Sequence, residues 1–227
     1  MKGLEDARKT GSAADMIAGF LLFPGVEELD FVGPWEMFSI WSAYAYGPAK
    51  CLTVSESGGE VRCARGLRIS TDFDFRSCPQ LDILLVPGGE GVHQEAENNK
   101  LIEFVRNQVA TCRHILSVCT GSFILSKAGI LNGRRATTHW ASHNRLREIP
   151  GIEVTKERYA HDVPVWTAAG GSAGLDMALA FIALEGGPKA AGIAQLASEY
   201  YPSPEGYELP PIKESLPNYI YRWKAGK

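Results

Sequence analysis

The chain has 227 residues, 45% of them hydrophobic, enough for one sizeable core. Its 23 Lys and Arg against 26 Asp and Glu leave a net charge of −3 with no basic run, which argues against a nucleic-acid surface. The runs GFLLF and ILLV are too short to span a bilayer, so no membrane association is expected.

The start, MKGLEDARKTGSAAD, is polar and lacks the apolar region of a secretory signal; residues 1–15 read as a disordered lead-in. Residues 17–23, IAGFLLF, form a continuous apolar run closed by Pro24 and Gly25, as in a strand buried on both faces. In the next segment Phe31, Trp35 and Phe38 fall at i, i+4 and i+7, the core face of a helix. Residues 50–55 read as a second strand. Gly58 and Gly59 then turn into two alternating segments, EVRCAR and LRISTDF.

LDILLV is another buried strand, ending at Pro87-Gly88-Gly89, and NKLIEFVRNQVA is helical. HILSV is a strand running into Cys119, followed by a helix over SFILSKAGIL with Gly133 beyond its end. ASHNRLREI is a short helix, and residues 151–170 read as a late hairpin around Asp162, Val163 and Pro164. LDMALAFIALEGGPKAAGIAQLASEYY is a helix, a Gly-Gly-Pro break and a second helix. From Pro202 the chain is proline-rich and carries no readable pattern, so residues 16–205 are taken as one domain and 206–227 as a tail. Buried strands alternating with helices predict an α/β fold, a parallel sheet covered on both faces, with its chemistry at the strands' carboxyl ends.

Three loops there carry the candidate site, after Phe23, Val86 and Val118. Cys119 stands where a strand pattern meets a helix pattern, flanked by Ser117, Gly121 and Ser122. Such a strand-to-helix elbow lifts its central side chain above the sheet and needs small neighbours. The helix start favours thiolate, which predicts a thiol pKa below its usual value of about 8.5. The N–H of Thr120 is placed to face a developing anion. Pro87-Gly88-Gly89-Glu90-Gly91 brings backbone N–H groups close to a ligand, although Gln94 stands where a dinucleotide motif needs its third glycine. In PGVEELD, Asp30 lies between Leu29 and Phe31 and is expected to point inward, more so than Glu27 or Glu28. An N-cap is its competing role. Facing Cys119, it would titrate with the thiol as a coupled pair.

His139 and His143 have i, i+4 spacing but lack the glutamate of H-E-x-x-H and a third ligand, so no metal is assigned. His139 and Trp140 instead line the Cys119 pocket, while His93, His114 and His161 read as surface or structural. The five cysteines are odd in number and show no C-x-x-C spacing, which suits a reducing cytoplasm. All but Cys119 are assigned to packing.

With Cys119 in its elbow, SVCTGSFILSKAGILNGRRATTHW resembles the signature segment of the ThiJ/PfpI superfamily, a class I glutamine amidotransferase-like group. Within it the chain is similar to the isonitrile (isocyanide) hydratases and to the sensor domains of AraC-type regulators. LLFPGVEELDFVGPWEMF, DILLVPGGEGV, GGSAGLDMAL and QLASEYYPSP extend the likeness across residues 17–204. The resemblance implies a flavodoxin-like three-layer sandwich, a homodimer, no cofactor and a small-molecule substrate. Carried over by motif, Cys119 is the nucleophile, Asp30 its acidic partner and Thr120 the residue after the nucleophile. Gly88, Gly89, Thr120, His139 and Trp140 would surround the substrate, with N–H groups near Gly89 and Thr120 as the oxyanion site.

Two departures stand out. Peptidase members carry Cys-His-Gly where this chain has Cys119-Thr120-Gly121, which disfavours proteolysis. Gly171 precedes Ser172-Ala173-Gly174 where the hydratase pattern has isoleucine. The expected activity is a cysteine-dependent, cofactor-free hydration of an isocyanide to an N-substituted formamide. A non-catalytic small-molecule or redox sensor, and a glyoxalase- or amidase-like activity, remain alternatives. The chain after the last matched segment is too short for the regulators' helix-turn-helix array, so no DNA binding is expected.

Overall fold

The computed structural model describes residues 13–202 and 215–221. The sheet has seven strands: β1 (Ile17–Leu21), β2 (Lys50–Ser55), β5 (Phe73–Asp74), β6 (Ile83–Val86), β7 (His114–Val118), β10 (Tyr159–Asp162) and β11 (Val165–Ala168). Their order is β10-β11-β7-β6-β1-β2-β5, parallel throughout except where β10 pairs antiparallel with β11. Two ribbons lie apart from it: a hairpin of β3 (Gly59–Arg62) with β4 (Arg68–Thr71), and β8 (Arg134–Ala136) parallel to β9 (Ile152–Val154).

Helices flank the sheet in two groups. Helices α1 (Glu28–Tyr44), α6 (Ala173–Glu185) and α7 (Pro188–Ala197) pack on one another, while α2 (Val92–Glu95) and α3 (Asn99–Val109) each pack on α4 (Gly121–Lys127). Short helices α5 (His143–Arg147) and α8 (Asn218–Tyr221) complete the described chain. Among the described residues no helix is long and apolar enough to cross a membrane.

The unbroken hydrophobicity of β1 and β6, and the mostly apolar β7 and β11, follow from burial on both faces: every residue of β6 and β11 is buried. The aromatic stripe of α1 is core, as its spacing predicts. Phe31 and Phe38 are buried, Phe38 stacks on Phe181 at 5.4 Å, and Trp35 meets Phe20 edge-on at 5.0 Å. Small residues set the α1–α6 crossing: a Cβ on Gly174 would stand 3.1 Å from both Pro34 and Val118.

Chain order leaves β1 toward β2 on one side and toward β6 on the other. The β1/β6 boundary is therefore the switch point, where a crevice opens beyond the strands' carboxyl ends.

Five segments differ from what the sequence pattern predicts. Ala13–Asp15 forms a 3-10 turn bonded to Met16, so the lead-in is ordered by residue 13; residues 1–12 lie outside the described chain. LRISTDF divides between two sheets, β4 in the hairpin and β5 beside β2. The helix after Cys119 stops at Lys127, because Gly129 takes φ +83° and reverses the chain. The late hairpin holds only β10 and β11, since β9 leaves it to pair with β8. Of the tail, residues 206–214 and 222–227 lie outside the described residues, whereas 215–221 fold back toward the switch point.

Candidate functional site

Cys119 follows β7 directly with φ +57°, a left-handed conformation that costs a non-glycine residue about 1–2 kcal/mol. The neighbours hold it there. Its N–H donates to the carbonyls of Ala169 at 2.8 Å and Ala168 at 3.1 Å, and its own carbonyl accepts from Thr138 Oγ1 at 2.9 Å. Gly121 is dictated by close approach: a Cβ there would lie 2.2 Å from the Val86 carbonyl oxygen. Ser117 and Ser122 are fully buried beneath the turn. The sulfur, partly buried, is the only thiol on the cavity wall among the described residues.

Asp30 is the third residue of α1, past the N-cap position held by Glu27, and its side chain is wholly buried. Its Oδ2 accepts the Gly88 N–H at 3.0 Å and its Oδ1 the Gly171 N–H at 3.0 Å. The Cys119 thiol stands beside the same carboxyl, close enough for each group to shift the other's pKa. Burial outweighs these donors and raises the Asp30 pKa to about 7. Glu27 and Glu28 are engaged by Arg65 instead: Glu27, at the cavity rim, pairs with its guanidinium at 3.2 Å, and Glu28 accepts its N–H at 2.9 Å.

The Cys119 thiol is pushed up, not down, from its ordinary value. Burial is the main cause and the adjacent Asp30 charge the second, while the Thr120 N–H and hydroxyl at the sulfur oppose both. The start of a seven-residue helix does not overcome them. At neutral pH the thiol therefore keeps its proton, beside a carboxyl close to its own midpoint.

A cavity of about 640 Å³ opens over this pair. Thr120, Gly89 and Gly171 border its floor, and His139 and Trp140 stand on one side with ring centres 5.5 Å apart. Gly170 makes room for His139: a Cβ would lie 2.4 Å from the imidazole Cδ2. Burial lowers the His139 pKa, so the ring facing the cavity is neutral at pH 7. The β3–β4 turn brings Arg65 to the rim, paired with Glu27 and, at 3.3 Å, with Glu90. Arg158 reaches the far wall from β10's N-terminal side.

Residues 16–184 match the DJ-1/PfpI family. The chain belongs to that family. The isonitrile hydratase of Pseudomonas putida is 39% identical over 186 residues, 82% of this chain and 79% of that protein. The HTH-type transcriptional regulator CdhR of Pseudomonas aeruginosa is 31% identical over 76% of this chain, which spans 51% of the regulator. Among solved structures, a ThiJ/PfpI family protein from Pseudomonas syringae superposes with a TM-score of 0.79 at 34% identity, over 92% of this chain and 82% of that one. The DJ-1/PfpI fold is thus the mostly parallel, helix-flanked sheet that alternating strands and helices predict.

The structure brings Cys119, Asp30, Thr120, Gly89, His139 and Trp140 together. Gly88 is different. It is absent from the cavity wall and instead holds Asp30, and a Cβ there would lie 2.8 Å from Asp30 Oδ2 and 2.6 Å from the Thr120 nitrogen. The Gly89 N–H donates to Thr120 Oγ1 at 3.1 Å, so it is engaged within the protein and not open toward an oxyanion.

His143 turns into the core beside Thr137 at 3.4 Å and, unlike His139, does not line the cavity. His93, read as surface or structural, stands on the cavity wall within 2.8 Å of Arg145. Gly171 escaped as an Asp30 donor, although the glycine pair of GGSAG marked it as unusual. Arg158, Tyr219 and Ile220 gave no local signal, since only the folded chain carries them to the cavity.

Proposed function

We propose that the chain hydrates an isocyanide to an N-substituted formamide, with Cys119 as nucleophile and Asp30 as its proton carrier. The buried Asp30 carboxyl beside the Cys119 thiol at the cavity floor carries this reading. The 39% identity to an isonitrile hydratase supports it.

Asp30, near pH 7, takes the thiol proton as sulfur bonds to the terminal isocyanide carbon, and returns it to that carbon. The product is a thioimidate, R–N=CH–S–Cys119. Water then adds to the same carbon, yielding a proton to Asp30. Asp30 passes that proton to the nitrogen. The C–S bond then breaks as the hydroxyl becomes the formyl C=O, its proton going through Asp30 to sulfur, and R–NH–CHO leaves with the thiol regenerated. Atoms balance as isocyanide plus one water.

A purified sample should convert an isocyanide to the formamide, and Cys119→Ala should reduce the rate to background. No consumption by wild type, or undiminished turnover by Cys119→Ala, overturns the assignment. The similarity to CdhR favours a second reading, binding in the same cavity without turnover. Saturable isocyanide binding with no formamide formed selects that reading, and methylglyoxal loss without isocyanide hydration selects the glyoxalase-like one.

A further inference from the structure

Residues 215–221 pack against the cavity from a part of the sequence with no strand or helix periodicity. Lys156 Nζ donates to the Ser215 carbonyl at 3.3 Å and to its hydroxyl at 3.2 Å. Leu216 and Pro217 are buried, and Ile220 N–H closes a turn on the Pro217 carbonyl at 3.0 Å. This anchored turn places Tyr219 and Ile220 on the cavity wall.

Tyr219 is held in place. The Arg158 guanidinium lies 5.8 Å from its ring centre. Arg158 is itself fixed by an ion pair with Asp176 and a 3.1 Å bond to Ser172, and Asp176 also accepts the Tyr200 hydroxyl at 3.1 Å. The Tyr219 ring therefore rests on a braced cation.

The cavity is divided in character. Its carboxylates at the rim are already paired with Arg65. Leu29, 44% exposed, lines the same cavity as Trp140, Tyr219 and Ile220, which together are its large apolar side chains, with Arg158 beside Tyr219. A linear isocyanide whose carbon meets the Cys119 sulfur points its N-substituent away from the floor. A volume of about 640 Å³ is far more than a methyl group needs.

We propose that Tyr219 and Ile220 form the seat for the ligand's N-substituent and select aromatic or branched apolar groups over small ones. The inference rests on the hydratase reading and names the substrate class of that site. Benzyl and methyl isocyanide are the probes. In the full chain carrying Tyr219→Ala and Ile220→Ala together, the benzyl-to-methyl ratio of kcat/KM should fall about tenfold or more. Tyr219→Phe, which keeps the ring, should restore most of the ratio and exclude a folding defect as the cause. An unchanged ratio, or an equal loss on both substrates, overturns the proposal.

A readout independent of turnover separates failure of this inference from failure of the hydratase reading. N-benzylformamide should slow iodoacetamide alkylation of Cys119 in wild type, and this protection should be lost in the double variant. If wild type hydrates no isocyanide yet shows that pattern, the hydratase reading fails and the apolar seat stands. Protection absent in wild type, or equal in the double variant, removes the seat.

Discussion

Cys119 and Asp30 are each placed where an isolated side chain would not choose to be. The cysteine occupies left-handed backbone, and the carboxyl is sealed from solvent with two backbone donors and a thiol as company. Asp30 does not make the sulfur more acidic: its charge is the second cause, after burial, of the raised thiol pKa. Its service to the proposed reaction is to receive a proton and give it back, for which a pKa of about 7 is suited. This separates two quantities that usually move together. In Asp30→Asn the negative neighbour is gone, so the pH midpoint for iodoacetamide alkylation of Cys119 should drop by about one unit. Isocyanide hydration by the same variant should fall to a small fraction of wild type. A midpoint that stays or rises would mean that the carboxylate is not the charge felt by the sulfur.

The elbow between β7 and α4 shows how an element boundary is written in residue size. A Cβ on Gly121 would enter the Val86 carbonyl at 2.2 Å, and backbone cannot yield as a side-chain tip does. Gly121→Ala should cost about 2 kcal/mol or more and lower Tm by roughly 4–8 °C. Gly192→Ala in α7 meets nothing within 4 Å and should leave Tm unchanged or raise it slightly. Equal melting temperatures for the two variants would refute the contact.

The same physics explains what could be read in advance. Long apolar runs and a run of obligatory small residues are local signals, and they disclosed the sheet and the place of Cys119. Strands β8 and β9 have three residues each and exist because they pair with one another, so neither sequence shows a period. The apolar pattern runs past the end of α4, because Ile130 and Leu131 continue it beyond Gly129. Arg158, Gly171 and Tyr219 reach the site through tertiary folding, which no local window contains.

At the scale of the whole molecule, two buried titratable groups act on stability in opposite directions over one pH range. Asp30 has a folded pKa of about 7 against an ordinary 3.8, so between those values the folded chain holds the extra proton and stability falls as pH rises. The shift corresponds to at most about 4 kcal/mol. His143 is lowered to about 4 from 6.5, first by burial and then by Arg147, Lys156 and His139. There the unfolded chain holds the extra proton, so its contribution is present above pH 6.5 and lost as pH falls toward 4, on the order of 3 kcal/mol.

The two contributions largely offset each other in the wild type, and single variants expose them. Relative to wild type, Asp30→Asn should become progressively more stable from pH 4 to 7, and His143→Gln progressively less stable. Urea midpoints at about pH 4.5, 5.5 and 7 measure both trends. Difference curves that stay flat with pH, or share one sign of slope, would show that these groups do not titrate out of step with the unfolded chain. Opposite slopes would tie the acid behaviour of the protein to two identified side chains, one of them at the floor of the cavity.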